Sequence, residues 1–461
     1  MTISPPAPVQ KALDTLSAAG FEAFVVGGCV RDALRGAEPH DWDCTTNAKP
    51  DMICKCFRDY HVIETGLQHG TVTVVIDRMP IEITTYRIDG VYADHRRPDS
   101  VTFTDSLTDD LARRDFTVNA MAYHPERGLI DPFGGTDDLK EGVIRCVGNP
   151  QDRFDEDGLR ILRAMRFASV LNFAVAPETA DAIHTQKDLL KHISAERIDT
   201  ELTKLLCGTG AETVLQTFAD VLFTVLPELA PMYQFDQKNP HHDYDVYTHT
   251  LKAVSACPPE PVLRWAALLH DTGKPHTFTE DVRGGHFYGH AVVSKQIAAC
   301  ALKAMKCDRK RYDRVLLLVE KHDLVLAPNE KQIKRIVRQI GDEAAEQLLL
   351  LHKADVTAQA ACHRAERIEE SDRLLTLLQE LRAADACMSL KQLAVSGKDL
   401  LDAGVPQGKQ IGLTLNRLLE AVIEGALPNE KRELLQYAEK LRETGSLCGG
   451  SASVRNPECV P

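Results

Sequence analysis

Two periods of hydrophobicity divide this chain. Up to about residue 147, short apolar runs alternate with turn residues. Val9–Ala19 has apolar positions at helical spacing and predicts a short helix. Phe21–Val26 is a compact apolar run ending in Gly27-Gly28, the pattern of a strand feeding a turn, and Val30–Leu34 reads as the start of a helix. Gly70–Asp77 (GTVTVVID) and Ile81–Tyr86 (IEITTY) are rich in β-branched residues and flank Arg78-Met79-Pro80, so a hairpin is expected there. From Asp155 the period becomes helical and holds almost to residue 443, with breaks at 208–210, 236–243, 274–289 and 403–408. The polar segment 236–243 (DQKNPHHD) marks a domain boundary, and the small polar residues from Gly445 to Pro461 predict a disordered tail.

Composition narrows the class. The 461 residues are 44% hydrophobic and 26% charged, the balance of a globular protein with several cores. No apolar run approaches the ~20 residues of a membrane span. The N-terminus lacks the charged-then-apolar pattern of an export signal, so a cytoplasmic location without a membrane partner is expected. The 13 cysteines read as reduced thiols, since Cys54 and Cys56 do not have zinc-knuckle spacing. A net charge of −13 argues mildly against a nucleic-acid partner, but a local basic face suffices for one. The motifs must decide.

The first constellation is Gly27-Gly28, Arg31-Asp32 and Asp41-Trp42-Asp43. Glycines let backbone approach a triphosphate without an intervening Cβ. A helix beginning just after them aims N–H groups at the phosphates, and Arg31 adds a charge-assisted contact. Asp41 and Asp43, two apart on a strand, face the same way, and convergent carboxylates hold Mg²⁺. Two such ions activate an attacking hydroxyl and steady a leaving pyrophosphate. Glu82, opening the next strand run, is the natural third acid. Either piece alone is common; their order, with a strand before them, is what carries the reading.

GGCVRDALRG followed by DWDCTT resembles the signature of the nucleotidyltransferase superfamily that contains the class II tRNA CCA-adding enzymes and bacterial poly(A) polymerases. TGLQHGTVTV (65–74), ITTYR (83–87), RRDFTVNAMAY (113–123), DPFGG (131–135), EDGLRILRAMRFA (156–168) and SAERI (194–198) follow in the family's order over about the first 200 residues. The resemblance implies an α/β head with a mixed five-stranded sheet, then an all-α neck, body and tail. The expected divisions are head 1–147, neck 148–235, body 236–375, tail 376–445 and disordered 446–461.

Asp157, Arg160, Arg163 and Arg166 are spaced by three and are expected along one side of one helix. A solvated, salt-bridged face is the ordinary reading of such a run. The sharper one is an amino-acid template for the incoming base. Cytosine and adenine carry an exocyclic amino donor where uracil and guanine carry a carbonyl. Asp157 accepts from that amino group and Arg160 donates to the adjacent ring nitrogen. A carbonyl facing Asp157 leaves polar groups unpaired, at about 1–3 kcal/mol each. In the family the EDxxR motif has this role. Arg163, Arg166 and Arg114 are further nucleotide-site candidates. The polar stretch 86–103, with Arg87, Asp94, Arg96 and Arg97, is expected to be irregular. It resembles the loop with which the family switches from C to A addition.

In the body, His249, His270-Asp271, His290, His322-Asp323 and Asp355 combine imidazoles and carboxylates suited to a divalent transition metal. The pair on an apolar helix resembles an HD phosphohydrolase domain, with His270-Asp271 as its defining pair and His249, His290, His322 and Asp355 completing the set. The alternative is a structural body with a vestigial site. Lys303, Lys306, Arg309, Lys310, Arg311 and Arg314 crowd one helical stretch, and Lys331, Lys334, Arg335 and Arg338 another; each is a candidate grip for tRNA phosphates or simply a solvated face.

The expected function is addition of CCA to tRNA from CTP and ATP by two Mg²⁺ ions. Alternatives are an enzyme adding only A, a poly(A) polymerase, and an HD phosphohydrolase with an RNA-binding head. The intact Asp41/Asp43 pair disfavours the last. No particular oligomeric state follows from the motifs.

Overall fold

A computed structural model describes residues 3–67, 70–90, 101–238, 243–282 and 284–443. The head contains β1 (Ala23–Val26), β2 (Asp43–Thr46), β3 (His61–Ile63), β4 (Thr71–Ile76), β5 (Met79–Thr85), β6 (Arg87–Asp89), β7 (Val101–Phe103), β8 (Ala122–His124) and β9 (Gly128–Ile130). Seven of these form one sheet in the order β3-β4-β5-β2-β1-β8-β9. Only β2 and β5 run parallel; the other neighbours are antiparallel. The expected five strands thus gain neighbours at the edges, where β3 and β9, three residues each, are too short to stand out by alternation.

The expected hairpin is β4–β5, but its turn is tighter than Arg78-Met79-Pro80. Asp77 and Arg78 take positive φ (49° and 69°), and Met79 already pairs with Ile76. Two residues with φ above zero make the hairpin turn whose twist matches the strands. Pro80 sits inside β5 opposite Val75, ahead of the point where β5 begins to pair with β2 at Glu82, so its missing N–H breaks no bond on that side. The ends of the segment expected to be irregular are ordered too, because β6 and β7 pair antiparallel. Residues 91–100 between them, including Asp94, Arg96 and Arg97, lie outside the described residues, as do 239–242 and 444–461.

The head core packs the helix Ala7–Ala18 (Val9, Leu13, Leu16) on Val25, Cys44, Val72, Val74, Ile81 and Ile83. Neck and body do not separate at the polar linker. One continuous core runs from Leu162 and Met165 through Leu202 and Leu205 to Trp265, Leu269, Leu318 and Leu351. The break at 274–289 holds a short helix (Lys274–Thr277) and a small hairpin, Thr279–Asp281 with Gly284–His286. The tail has its own small core, built on Leu400, Leu418, Leu419 and Leu434. Among the described residues no helix is long and apolar enough to cross a membrane.

Candidate functional sites

β1 is buried at all four positions and delivers the chain to Gly27 at φ 81°, ψ −131°. Only glycine adopts that conformation without strain, and a Cβ there would lie 2.9 Å from Arg114 Nη1. The helix Gly28–Leu34 starts immediately afterwards, so its first-turn N–H groups are unpaired within the helix beside the turn. Asp41 and Asp43 are exposed while Trp42 and Cys44 point into the core. That alternation gives the two acids a common face, although Asp41 precedes the strand and only Asp43 belongs to it.

β5 then places Glu82 in register with Asp43 on the parallel neighbour, and Glu82 is exposed on the same side. Loss of water around its carboxylate, with repulsion from Glu82 and Asp41, raises the Asp43 pKa, against the opposing pull of Arg114. Carboxylate oxygens on one face are the donor type that hard divalent cations take.

Several of the expected nucleotide-site residues have partners within the chain. Arg31 is buried: its Nη1 donates to Asn119 Oδ1 (2.7 Å), and its Nε and Nη2 donate to Asp32 (2.8 and 2.9 Å). Its guanidinium also lies 5.1 Å from the Phe167 ring centroid, so this arginine ties the head to the neck rather than reaching outward. Arg163 donates to Asp115 Oδ2 from Nε (2.8 Å) and Nη2 (2.5 Å). Arg166 donates to Glu201 (2.5 Å) and packs over Phe167. Burial opposes ionisation of Asp115, yet Arg163 and the Asn119 amide hold its pKa down at about 2.

EDGLR is not one helix. The helix Pro150–Glu156 stops, Asp157 is extended (φ −140°, ψ 103°), and a second helix, Leu159–Leu171, begins. Asp157 Oδ1 accepts from the Leu159 amide (3.0 Å), which favours this break. Gly158 permits it, since a Cβ there would sit 3.0 Å from the Leu189 Cβ. Asp157 therefore stands at the mouth of the second helix, with Arg160 one turn inside. Arg160 is buried and bonds to Glu156 and to the carbonyls of Arg153 and Arg113. Glu156 and Arg197, which sequence reasoning left without a role although both stand in quoted motifs, are the direct partners of Arg160 and Asp157.

The body residues converge. His249, His270, Asp271 and Asp355 form one group of close ligand atoms, and Asp271, His290 and His322 a second. Asp271 joins them: Oδ2 lies 3.2 Å from His270 Nε2 and 3.5 Å from His249 Nε2, while Oδ1 lies 3.5 and 3.7 Å from Nε2 of His290 and His322. All four imidazoles place Nδ1 against a backbone carbonyl, of Ala358, Ala267, Phe287 and Val319. A carbonyl only accepts, so Nδ1 carries the hydrogen and Nε2 turns a lone pair inward, the arrangement that orients metal-binding histidines. His290 and His322 bring two such nitrogens to 3.0 Å, an arrangement that needs a proton or a cation between them. Burial works against a charged His270, but Asp271 and Asp355 override it and raise its pKa to about 10. Electrostatics that draw a proton so strongly also suit a divalent metal. Asp271, His290, His322 and Asp355 face a cavity of about 510 Å³ that Lys274, Tyr288, His352 and Arg367 also line.

The basic stretches are largely consumed within the chain. Lys331 and Arg335 pair with Glu424 of the tail, and Lys334 with Glu330. Arg311 pairs with Asp199, Arg314 with Glu343, Arg309 with Asp313 and Lys306 with Glu196. Lys303 and Lys310 are exposed. Periodicity found the cations but not the acids that the fold brings to them.

Comparison with known proteins covers nearly the whole chain. Residues 23–145 match the poly A polymerase head domain, 172–232 a probable RNA- and SrmB-binding site of polymerase A, and 289–438 a putative tRNA nucleotidyltransferase domain 2. The chain is 35% identical to a CCA-adding enzyme of Levilactobacillus brevis over 92% of its length and 96% of the relative's. It is 34% identical to that of Geobacillus kaustophilus, over 92% and 94%. The crystal structure of the Bacillus stearothermophilus CCA-adding enzyme in complex with CTP superposes with a TM-score of 0.70 at 29% identity, over 95% of this chain and 98% of that one.

Proposed function

The chain belongs to the family of CCA-adding enzymes, and we propose that its own residues divide that family's reaction as follows. It is a tRNA nucleotidyltransferase that builds CCA on tRNA 3′ ends from CTP and ATP without a nucleic-acid template, releasing pyrophosphate. Asp41, Asp43 and Glu82 hold divalent cations, for which we assign Mg²⁺. When bound, Mg²⁺ favours the alkoxide of the tRNA 3′-hydroxyl and neutralises charge on the departing pyrophosphate. Gly27 and Gly28 let backbone amides close on the triphosphate, with Arg114 beside the turn. Asp157 accepts from the exocyclic amino group of cytosine or adenine, and Arg160 donates to the adjacent ring nitrogen. Work on tRNA with CTP and ATP suits a cytoplasmic enzyme.

The observation that carries this reading is the register of Asp43 with Glu82, beside the glycine turn and on the face Asp41 shares. The test supplies tRNAs lacking A, CA or CCA with CTP and ATP, singly and together, and sequences the products. Completion to CCA is expected. A long A tract, or A added only to the CC-ending tRNA, overturns the reading in favour of a poly(A) polymerase or an A-adding enzyme.

For the body, four inward-turned Nε2 atoms around Asp271 support a centre for divalent transition metals, with Asp271 shared between two positions. Metal analysis should find such an ion in the wild type and not in the His270→Ala, Asp271→Ala double variant. The reading fails if their metal contents match. Phosphoester hydrolysis is the reaction such a centre would add.

A further inference from the structure

Base selection by Asp157 requires more than a carboxylate at the right place. A carboxylate that turns aims its oxygens away from the amino group of cytosine or adenine, and discrimination against uracil and guanine is then lost. The carboxylate must stay an acceptor in one orientation.

The structure holds it from two sides. Oδ1 accepts the Leu159 amide at 3.0 Å. Oδ2 accepts Arg197 Nη2 at 2.9 Å, in a pair whose side chains are 26% and 16% exposed. The two grips come from different helices: Leu159 opens Leu159–Leu171, and Arg197 lies in the first turn of Ala195–Leu206. These helices are locked together below the pair by Arg166 and Glu201 at 2.5 Å. Arg197 Nη1 is buried without a hydrogen-bond partner among the described residues. A stranded donor is unfavourable, and a purely packing residue in this place gains nothing from carrying one. A guanidinium donating to Oδ2, with the Leu159 amide on Oδ1, fixes the plane of the Asp157 carboxylate.

We propose that Arg197 is a positioning residue for nucleotide choice: it fixes Asp157 as an oriented acceptor and so sets the preference for C and A over U and G. The inference rests on the reading of Asp157 as the base selector.

The experiment measures kcat/KM for CTP and for UTP on a tRNA lacking its CCA end, using the full-length enzyme, Asp157→Asn, Arg197→Gln and Arg197→Lys. Arg197→Gln should lower the CTP-to-UTP ratio about tenfold or more, the effect of one charge-assisted hydrogen bond. Arg197→Lys, which keeps a charged donor, should recover part of it. A ratio is insensitive to the fraction of folded enzyme, so a variant that merely folds poorly loses both activities together. If Asp157→Asn collapses the ratio while Arg197→Gln preserves it, Arg197 has no part in selection. If Asp157→Asn itself preserves the ratio, Asp157 does not read the base and the inference falls with that premise.

Discussion

Asp115 is the junction between head and neck, and Asp115→Asn tests that junction. In the native chain its carboxylate accepts two bonds from Arg163 and one from the Asn119 amide, while Asn119 in turn accepts from Arg31. Its pKa falls from 3.8 to about 2 against the opposing effect of burial. At 1.36 kcal/mol per unit, this is ~2 kcal/mol of stability. One third of the Arg163 side chain reaches solvent, and screening trims the loss to about 1.5 kcal/mol.

The sign follows from the direction of the shift. The stabilisation is complete above the ordinary carboxyl value of 3.8 and disappears as pH falls through about 2. Urea unfolding followed by circular dichroism should therefore show a constant gap between wild type and variant from pH 5 to 8, narrowing below pH 4. A double-mutant cycle with Arg163→Met should return a coupling of about 1 kcal/mol or more. A coupling near zero, or a gap that widens as pH falls, would refute the assignment.

Further outcomes follow from the same structure. Asp43→Asn should reduce nucleotide addition at least ~10³-fold while tRNA binding in a filter assay stays nearly constant; an active variant removes Asp43 from the site. Gly27→Ala forces φ 81° on a residue with a Cβ and pushes against Arg114, so it should lose about 1–3 kcal/mol of stability and raise the KM for CTP; a neutral result in both would mean the turn tolerates a side chain. Arg335→Glu should loosen the tail, seen as faster proteolysis near residue 384, and a Glu424→Lys partner should restore it. Exhaustive chelation should lower the melting temperature of wild type more than that of His249→Ala, because a ligand bound only by the native state adds stability.

Much of the site was readable from local pattern, for stated reasons. Alternation placed Asp41 and Asp43 on one face because a strand has a period of two, and that period survives even where Asp41 precedes the strand. Glu82 was within reach because a β-branched run announces its own strand. The helical period misled at EDGLR, where a capping bond to Asp157 and the close approach of Leu189 break the helix. At the basic stretches it could not reveal the acids that pair with Lys331, Arg335 and Arg311, which lie between 89 and 112 residues away along the chain.

The sequence by itself determined the division into an α/β head and a helical remainder, and it supplied the pair Asp41 and Asp43 proposed for metal, the motif proposed to read the base and the inventory of His and Asp in the body. All of these depend on periods of two to four residues or on short ordered motifs. Only the tertiary structure decided which acids the arginines pair with, that Asp271 stands between two groups of close His and Asp side chains, and that Asp157 is held by Arg197. Those outcomes depend on helices meeting across long loops. Charge pairing and imidazole orientation are set by the contacts the final packing makes, and no local spacing encodes them.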